Sequence, residues 1–224
     1  MGIRENYLKI RKEVPDYVEV VLAAKTRSAE EIKEAIFAGA EIIGENYVQE
    51  TECVYEQLGP LAQKVKWHFI GYLQKNKINK ALQIFDVIQT IDSYEIAEAI
   101  NKRAEKIGKT VSVFIEINIA AERNKSGIEP NYKIVEELAR KISCLRYLRL
   151  EGLMTMGPLT GDPEDLRPYF RQMKKFFDKL KNLNLPSVNI EYLSMGMSDS
   201  YRVAIEEGAN MVRIGRGVFG ERIY

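Results

Sequence analysis

Residues 17–31 read YVEVVLAAKTRSAEE. Val18, Val20, Val21, Leu22, Ala23 and Ala24 make a dense apolar run whose length and β-branched content suit a buried strand. The run stops at Lys25, although lysine is almost never fully buried without something to compensate its charge. Ser28 with Glu31 three places later is a capping box, so a helix starts there. The stretch is therefore a strand, a turn carrying Lys25, and a helix. In α/β folds that edge of the sheet is where ligands bind.

The same unit recurs along the chain. Strand candidates lie at 18–24, 41–44, 65–70, 87–91, 110–119, 146–154, 188–193 and 210–214. Spread over 224 residues, these eight recur roughly every 28 positions, close to one βα unit. They are dense in Val, Ile and Leu rather than cleanly alternating, as parallel strands covered by helices are. Between them, SAEEIKEAIFAGA puts Ile32, Ala35 and Ile36 on one helix face, and DSYEIAEAINKRAEKIG ends at Gly108. In GDPEDLRPYFRQMKKFFDKL, Asp162 is placed as N-cap with Pro163 first in the helix, while Pro168 makes the helix start later or bend. Eight such units predict a single (β/α)8 TIM-type barrel over residues 1–224, with a doubly wound open sheet as runner-up. The last unit is nearly all strand, and RENYLKIRKEV near the N-terminus is the extra helix that would cover the gap.

Composition narrows the function classes. The chain is 46% hydrophobic and 29% charged, which suits one globular domain with a sizeable core. With 33 basic and 32 acidic side chains the formal charge is +1, giving no global field for nucleic acid or an anionic membrane. The start, MGIRENYLKIRKEV, mixes charges and does not read as a secretory signal, which needs an apolar h-region, and no apolar run approaches the length of a bilayer span. Cys53 and Cys144 are far apart with no CxxC, which reads as two free thiols in a reduced cytoplasm. One histidine and two distant cysteines give a zinc site or a Cys/His dyad little support.

The densest chemical signal is in the tail, YLSMGMSDSYRVAIEEGANMVRIGRGVFGERIY. Strand seven runs into Ser194–Ser198, and strand eight into Arg213-Ile214-Gly215-Arg216-Gly217. In barrels the loops after strands seven and eight, with a short helix N-terminus, often form a phosphate site. Glycines let backbone N–H groups approach an anion, and the helix start adds free donors. Ser198 is expected to cap a helix and to meet a phosphate oxygen. Arg213 lies between Val212 and Ile214; if those face the helices, Arg213 points into the barrel. There it is either a structural ion pair with Glu116 or Glu151, or a permanent cation beside a ligand. Lys25, near a phosphate site and a second cation, is either a phosphate counter-ion or a neutral amine that forms a Schiff base with an aldehyde. Asn46 in GENYVQE orients a ligand or caps a helix. Lys125 in NKSG sits on a mouth loop and reads by default as a solvated lysine. His68 in WHFIG reads as a hydrogen-bonded core residue, and Met154 and Met156 in GLMTMGP as packing. LQKNKINK reads as a solvated helix face.

Taken together, AAKT, GENYVQE, WHFIG.LQKNK, NKSG, GLMTMGP, LSMGMS.....AIEEGA and VRIGRGVFG resemble the pyridoxal phosphate homeostasis proteins, which are related to the N-terminal barrel of alanine racemase. The resemblance covers nearly the whole chain. It implies that Lys25 holds pyridoxal 5′-phosphate (PLP) as a Schiff base, and that Ser198, Gly215 and Arg216 bind its phosphate. It implies Arg213 at the pyridine nitrogen, Asn46 near the cofactor, and Lys125 handling PLP at a second position. Tyr72 stands where many members have histidine. The implied function is binding, buffering or delivering PLP, with PLP-dependent apoenzymes as partners and no robust reaction. The alternatives are a PLP-dependent racemase or lyase with Lys25 as base, and a cofactor-free Schiff-base aldolase. The sequence stops at Tyr224, just past strand eight. The second domain that supplies a racemase with its other base and dimer contact is thus not expected, and a monomer is.

Overall fold

The unit expected at residues 17–31 is present. Strand β1 (Glu19–Ala23) is followed by helix α2 (Ala29–Phe37), and Ser28 and Glu31 close the capping box: the Glu31 amide donates to Ser28 Oγ, and the Ser28 amide to Glu31 Oε2. The computed structural model describes residues 2–221. It continues with β2 (Ile42–Glu45), α3 (Val48–Leu58), β3 (Lys66–Phe69), α4 (Ile78–Ile84), β4 (Val87–Ile91), α5 (Tyr94–Lys106), β5 (Val111–Glu116) and α6 (Tyr132–Ser143). Then come β6 (Leu148–Met154), α7 (Arg167–Lys181), β7 (Val188–Met197), α8 (Tyr201–Glu206), β8 (Met211–Ile214) and α9 (Arg216–Phe219). The strands are all parallel and close in sequence order, β8 pairing back onto β1 through Val21↔Arg213 and Leu22↔Ile214. The closed barrel is the expected one, and the open doubly wound sheet is excluded.

The N-terminal helix does what the gap required. α1 (Ile3–Glu13) packs between α2 and the four-residue α9. Asn6 Nδ2 donates to the Val218 carbonyl at 3.0 Å and Tyr7 Oη to the Gly39 carbonyl at 2.8 Å. A full eighth helix is thereby replaced by one from the other end of the chain.

Two layers of apolar packing follow from the period-two alternation of the strands. Val20, Leu22, Ala24, Val212 and Ile214 face outward into the main core under the helices. Val21, Ile42, Val87, Phe114, Met154 and Met211 form a separate cluster inside the barrel. Arg213, between Val212 and Ile214, therefore points inward, as the alternation predicts.

Where elements differ from the sequence expectation, polar side chains explain it. β5 ends at Glu116 rather than 119. Beyond it Asn118 Nδ2 donates to the Glu122 carbonyl at 2.7 Å and Asn118 Oδ1 accepts the Glu122 amide at 3.1 Å, curling residues 118–127 away from the sheet. Strand seven runs on through Met197. Helix α7 starts at Arg167, with Pro168 in its first turn, and Asp162 caps a preceding 3₁₀ turn by accepting the Glu164 amide at 2.9 Å. Ser198 does not cap α8; that place belongs to Ser200, whose Oγ accepts the Met197 amide at 3.1 Å.

Candidate functional site

The expected cofactor-binding residues and Lys125 lie towards the C-terminal end of the barrel, whereas His68 and Glu151 border a cavity at the other end. Lys25 stands two residues past β1, at the parity of the inward-facing Val21, half-buried, with no hydrogen bond or ion pair recorded among the described residues. The turn that carries it is pinned by Arg27. Arg27 Nη2 donates to the Gly220 carbonyl at 2.6 Å, Nη1 pairs with Glu31 at 3.1 Å, and the guanidinium lies 5.5 Å from the Phe219 ring centre. Arg27 thus draws the turn after β1 against α9. Sequence reasoning missed it, because nothing in KTRS tells a latch from a solvated arginine.

Next to Lys25, where β8 pairs with β1, the loops after β7 and β8 meet. Ser198 Oγ accepts the Gly215 amide at 3.3 Å and the Gly217 amide at 3.1 Å. A Cβ on Gly215 would lie 3.1 Å from the Ala23 carbonyl, and one on Gly217 would lie 3.1 Å from Ile10 Cδ1. Gly215 thus packs against backbone of β1 that cannot swing aside, whereas the neighbour of Gly217 is the movable end of a side chain. Two amides and a hydroxyl converging at the start of a helix form an arrangement that suits an anion. The Arg216 side chain turns away, paired with Asp199 and, at 3.5 Å, Glu221. Only its backbone belongs to the cradle.

Arg213 is 2% exposed beneath this mouth. Nη1 donates to Ser194 Oγ at 2.6 Å, and Nη2 to the Thr155 carbonyl at 2.6 Å with Met156 Sδ at 3.6 Å. Its partners among the described residues are thus neutral. The alternative of an ion pair with Glu116 or Glu151 is not what holds it, and Glu151 lines a cavity at the other end of the barrel. Burial lowers the Arg213 pKa to about 10, with Glu116 raising it in part, so the guanidinium stays charged at neutral pH. Five N–H donors against these contacts leave capacity for a ligand acceptor. Thr155 and Ser194 went unnoticed in the sequence because a buried Ser or Thr in a strand has no signature of its own. Met156 does more than pack, since its sulfur touches the guanidinium.

Beside Arg213 a pocket of about 270 Å³ opens, lined by Asn46, Tyr72, Glu116, Asn118, Lys125 and Met156 among others. Asn46 does not cap α3: Tyr47 holds the N-cap position. Its backbone is seated against Gly71, where a Cβ would come within 2.2 Å of the Asn46 carbonyl oxygen. Lys125 is not simply solvated, because its amine pairs with Glu122 at 2.6 Å and donates to the Gly157 carbonyl at 2.9 Å. Tyr72 is 68% exposed at the rim. Glu116 accepts from Ser126 Oγ at 3.0 Å through Oε1, while Oε2 is buried without a partner among the described residues. Burial raises its pKa to about 7, against the Ser126 hydrogen bond and with Asp92 adding to the rise. His68 is a buried, hydrogen-bonded core residue as expected. No helix among the described residues is long and apolar enough to cross a membrane, and none of their His, Cys, Asp and Glu side chains group as a metal site.

The geometry suits a phosphorylated aldehyde with a basic ring nitrogen. The cradle would take its phosphate, the Lys25 amine lies past the end of the neighbouring strand, and the buried Arg213 cation lies beneath the mouth. Comparison with known proteins points the same way. The family model described as alanine racemase, N-terminal domain, matches residues 2–223. The pyridoxal phosphate homeostasis protein of Pasteurella multocida is 41% identical over 210 residues, covering 92% of this chain and 88% of its own. That of Aquifex aeolicus is 42% identical over 206 residues, covering 90% and 86%. Among solved structures, PipY of Synechococcus elongatus with PLP bound superposes with a TM-score of 0.89 at 30% identity, covering 98% of this chain and all (100%) of that one. An alanine racemase of Clostridium difficile shares the fold at a TM-score of 0.81 and 20% identity, this chain matching 56% of its length.

Proposed function

The chain belongs to the pyridoxal phosphate homeostasis protein family, and from that premise we propose that it binds PLP on Lys25 and buffers or delivers it inside the cell. When bound, the cofactor supplies an aldehyde that is reactive towards amines. Lys25 Nζ is the covalent anchor. The Gly215, Arg216 and Gly217 amides with Ser198 Oγ take the phosphate, and Asn46 flanks the ring. Arg213 meets the ring nitrogen. As a guanidinium it donates to that nitrogen and does not protonate it. An unprotonated pyridine is a weak electron sink, which suits holding the cofactor better than carbanion chemistry. Lys125, in the neighbouring pocket, is the residue for transient PLP handling. The single domain spans residues 1–224, works as a cytoplasmic monomer, hands PLP to PLP-dependent apoenzymes, and turns over no amino acid at ordinary enzyme rates.

The observation that carries this reading is the convergence of two glycine amides and Ser198 Oγ at the same barrel mouth as the buried, ion-pair-free Arg213. The test is the visible absorption spectrum of the purified protein with and without added PLP, beside Lys25→Ala. A band in the wild type that the variant lacks, and that borohydride fixes onto Lys25, supports it. No band with PLP in excess overturns it. Rapid turnover of an amino acid would make the chain a racemase or lyase, and light scattering tests the monomer.

A further inference from the structure

The barrel interior holds a chain of polar side chains that the cofactor site does not by itself require. Arg213 Nη1 donates to Ser194 Oγ at 2.6 Å, Ser194 Oγ to Gln89 Oε1 at 2.7 Å, and Gln89 Nε2 lies 2.8 Å from His68 Nδ1. The four residues come from β8, β7, β4 and β3, and each is at most 2% exposed. Gln89 Nε2 also contacts Met211 Sδ at 3.3 Å. The Met211 contact sets the direction. A thioether sulfur accepts, so the edge of Gln89 that faces Met211 and His68 carries the amide nitrogen, and the oxygen faces Ser194. Arginine only donates, so Ser194 Oγ accepts from Arg213 and gives its own hydrogen to Gln89 Oε1. With Gln89 Nε2 donating, His68 Nδ1 accepts and its proton is on Nε2.

Barrel interiors are usually filled by branched aliphatic side chains. Val21, Ile42, Val87, Phe114, Met154 and Met211 pack beside the column in this one. Buried polar groups cost stability unless they are satisfied, and a satisfied network fixes one arrangement. The column is also neutral apart from Arg213, because burial holds the His68 pKa down at about 3, helped by Lys66. It therefore aims the guanidinium without discharging it.

We propose that Ser194, Gln89 and His68 are positioning residues that act through Arg213 to set its alignment on the cofactor's ring nitrogen. The proposal rests on the PLP reading above. It makes His68, at the far end of the column and bordering a cavity of about 570 Å³ at the N-terminal end of the barrel, a reporter of what happens at the mouth.

His68 is the sole histidine in the 224 residues, so its ring nitrogens can be followed without assignment. The experiment is the ¹⁵N spectrum of the imidazole in the apo protein and after adding PLP, in wild type, Ser194→Ala and Ser194→Thr, with the visible spectrum recorded alongside. In the wild-type apo protein we expect hydrogen on Nε2 and none on Nδ1, unchanged from pH 8 to pH 5. PLP should shift the Nδ1 resonance. Ser194→Ala should abolish that response, move the visible band and weaken PLP binding about tenfold, the loss of one buried hydrogen bond. Ser194→Thr, which keeps the hydroxyl, should restore all three. A wild-type Nδ1 resonance indifferent to PLP while the band forms normally overturns the proposal and leaves the PLP reading intact. So does Ser194→Ala with an unchanged band and affinity. Absence of any band in the wild type overturns both, with the histidine tautomer still read in the apo protein. Gln89→Leu, if it folds, should behave as Ser194→Ala does.

Discussion

Ser198 Oγ accepts the Gly217 amide hydrogen at 3.1 Å, which ties the loop after β7 to the first turn of α9. A side chain that the sequence placed as a helix cap is instead half of a clasp between the last two βα loops. The Gly215 amide shares the same oxygen at 3.3 Å. A phosphate would enter where these donors already converge.

Ser198→Ala should therefore act twice. Loss of the shared acceptor leaves the two amides to water and costs the apo protein about 1 kcal/mol. PLP affinity should fall roughly ten- to a hundredfold, the range for a hydrogen bond to a charged group. Denaturation in urea and a PLP titration read the two effects separately. Unchanged affinity would remove Ser198 from the cradle.

Lys25→Ala should separate binding from stability in the opposite sense. Lys25 has no recorded partner among the described residues and is half-buried. Truncation should change stability by no more than about 0.5 kcal/mol, while the visible PLP band is lost. A large fall in melting temperature would show that the lysine supports the fold.

Gly71→Ala tests the support beneath Asn46. The added Cβ would stand 2.2 Å from the Asn46 carbonyl oxygen and 2.7 Å from its Cα, backbone atoms that cannot swing aside. The expected cost is about 2–3 kcal/mol, with Asn46 displaced and PLP affinity reduced. Wild-type stability and affinity together would show that the β2 and β3 ends part freely.

Glu45 gives the fold a pH dependence. It is 2% exposed, and its Oε2 has no partner among the described residues. Burial, with Glu50 adding to it, raises its pKa from 4.5 to about 8. Between those values the folded state keeps a proton that the unfolded state has released. The stabilising difference is whole below pH 4.5 and is lost as pH rises through about 8. A shift of that size is worth at most roughly 5 kcal/mol. Glu45→Gln should flatten the decline in stability between pH 5 and pH 8.5 relative to wild type. Parallel curves for the two proteins would assign the dependence elsewhere, for instance to Glu116, whose raised pKa of about 7 acts in the same direction.

The sequence determined the barrel, because its signals are local and periodic. The Ser28–Glu31 capping box, the β-branched runs and the alternation around Arg213 each depend on neighbours within a few positions, and eight repeats of such a unit have few ways to close. It also pointed to the mouth, since Lys25 and the glycines after strands seven and eight end runs that are otherwise apolar. Tertiary structure alone decided which polar atoms meet. Ser198 clasps Gly215 and Gly217 rather than capping a helix, Arg27 reaches Gly220 across 193 positions, and Gln89 lies between His68 and Ser194. A hydrogen bond is made within about 3 Å and in one direction. Its partners are fixed by strand register and loop closure, which bring distant residues together and leave no trace in the spacing along the chain.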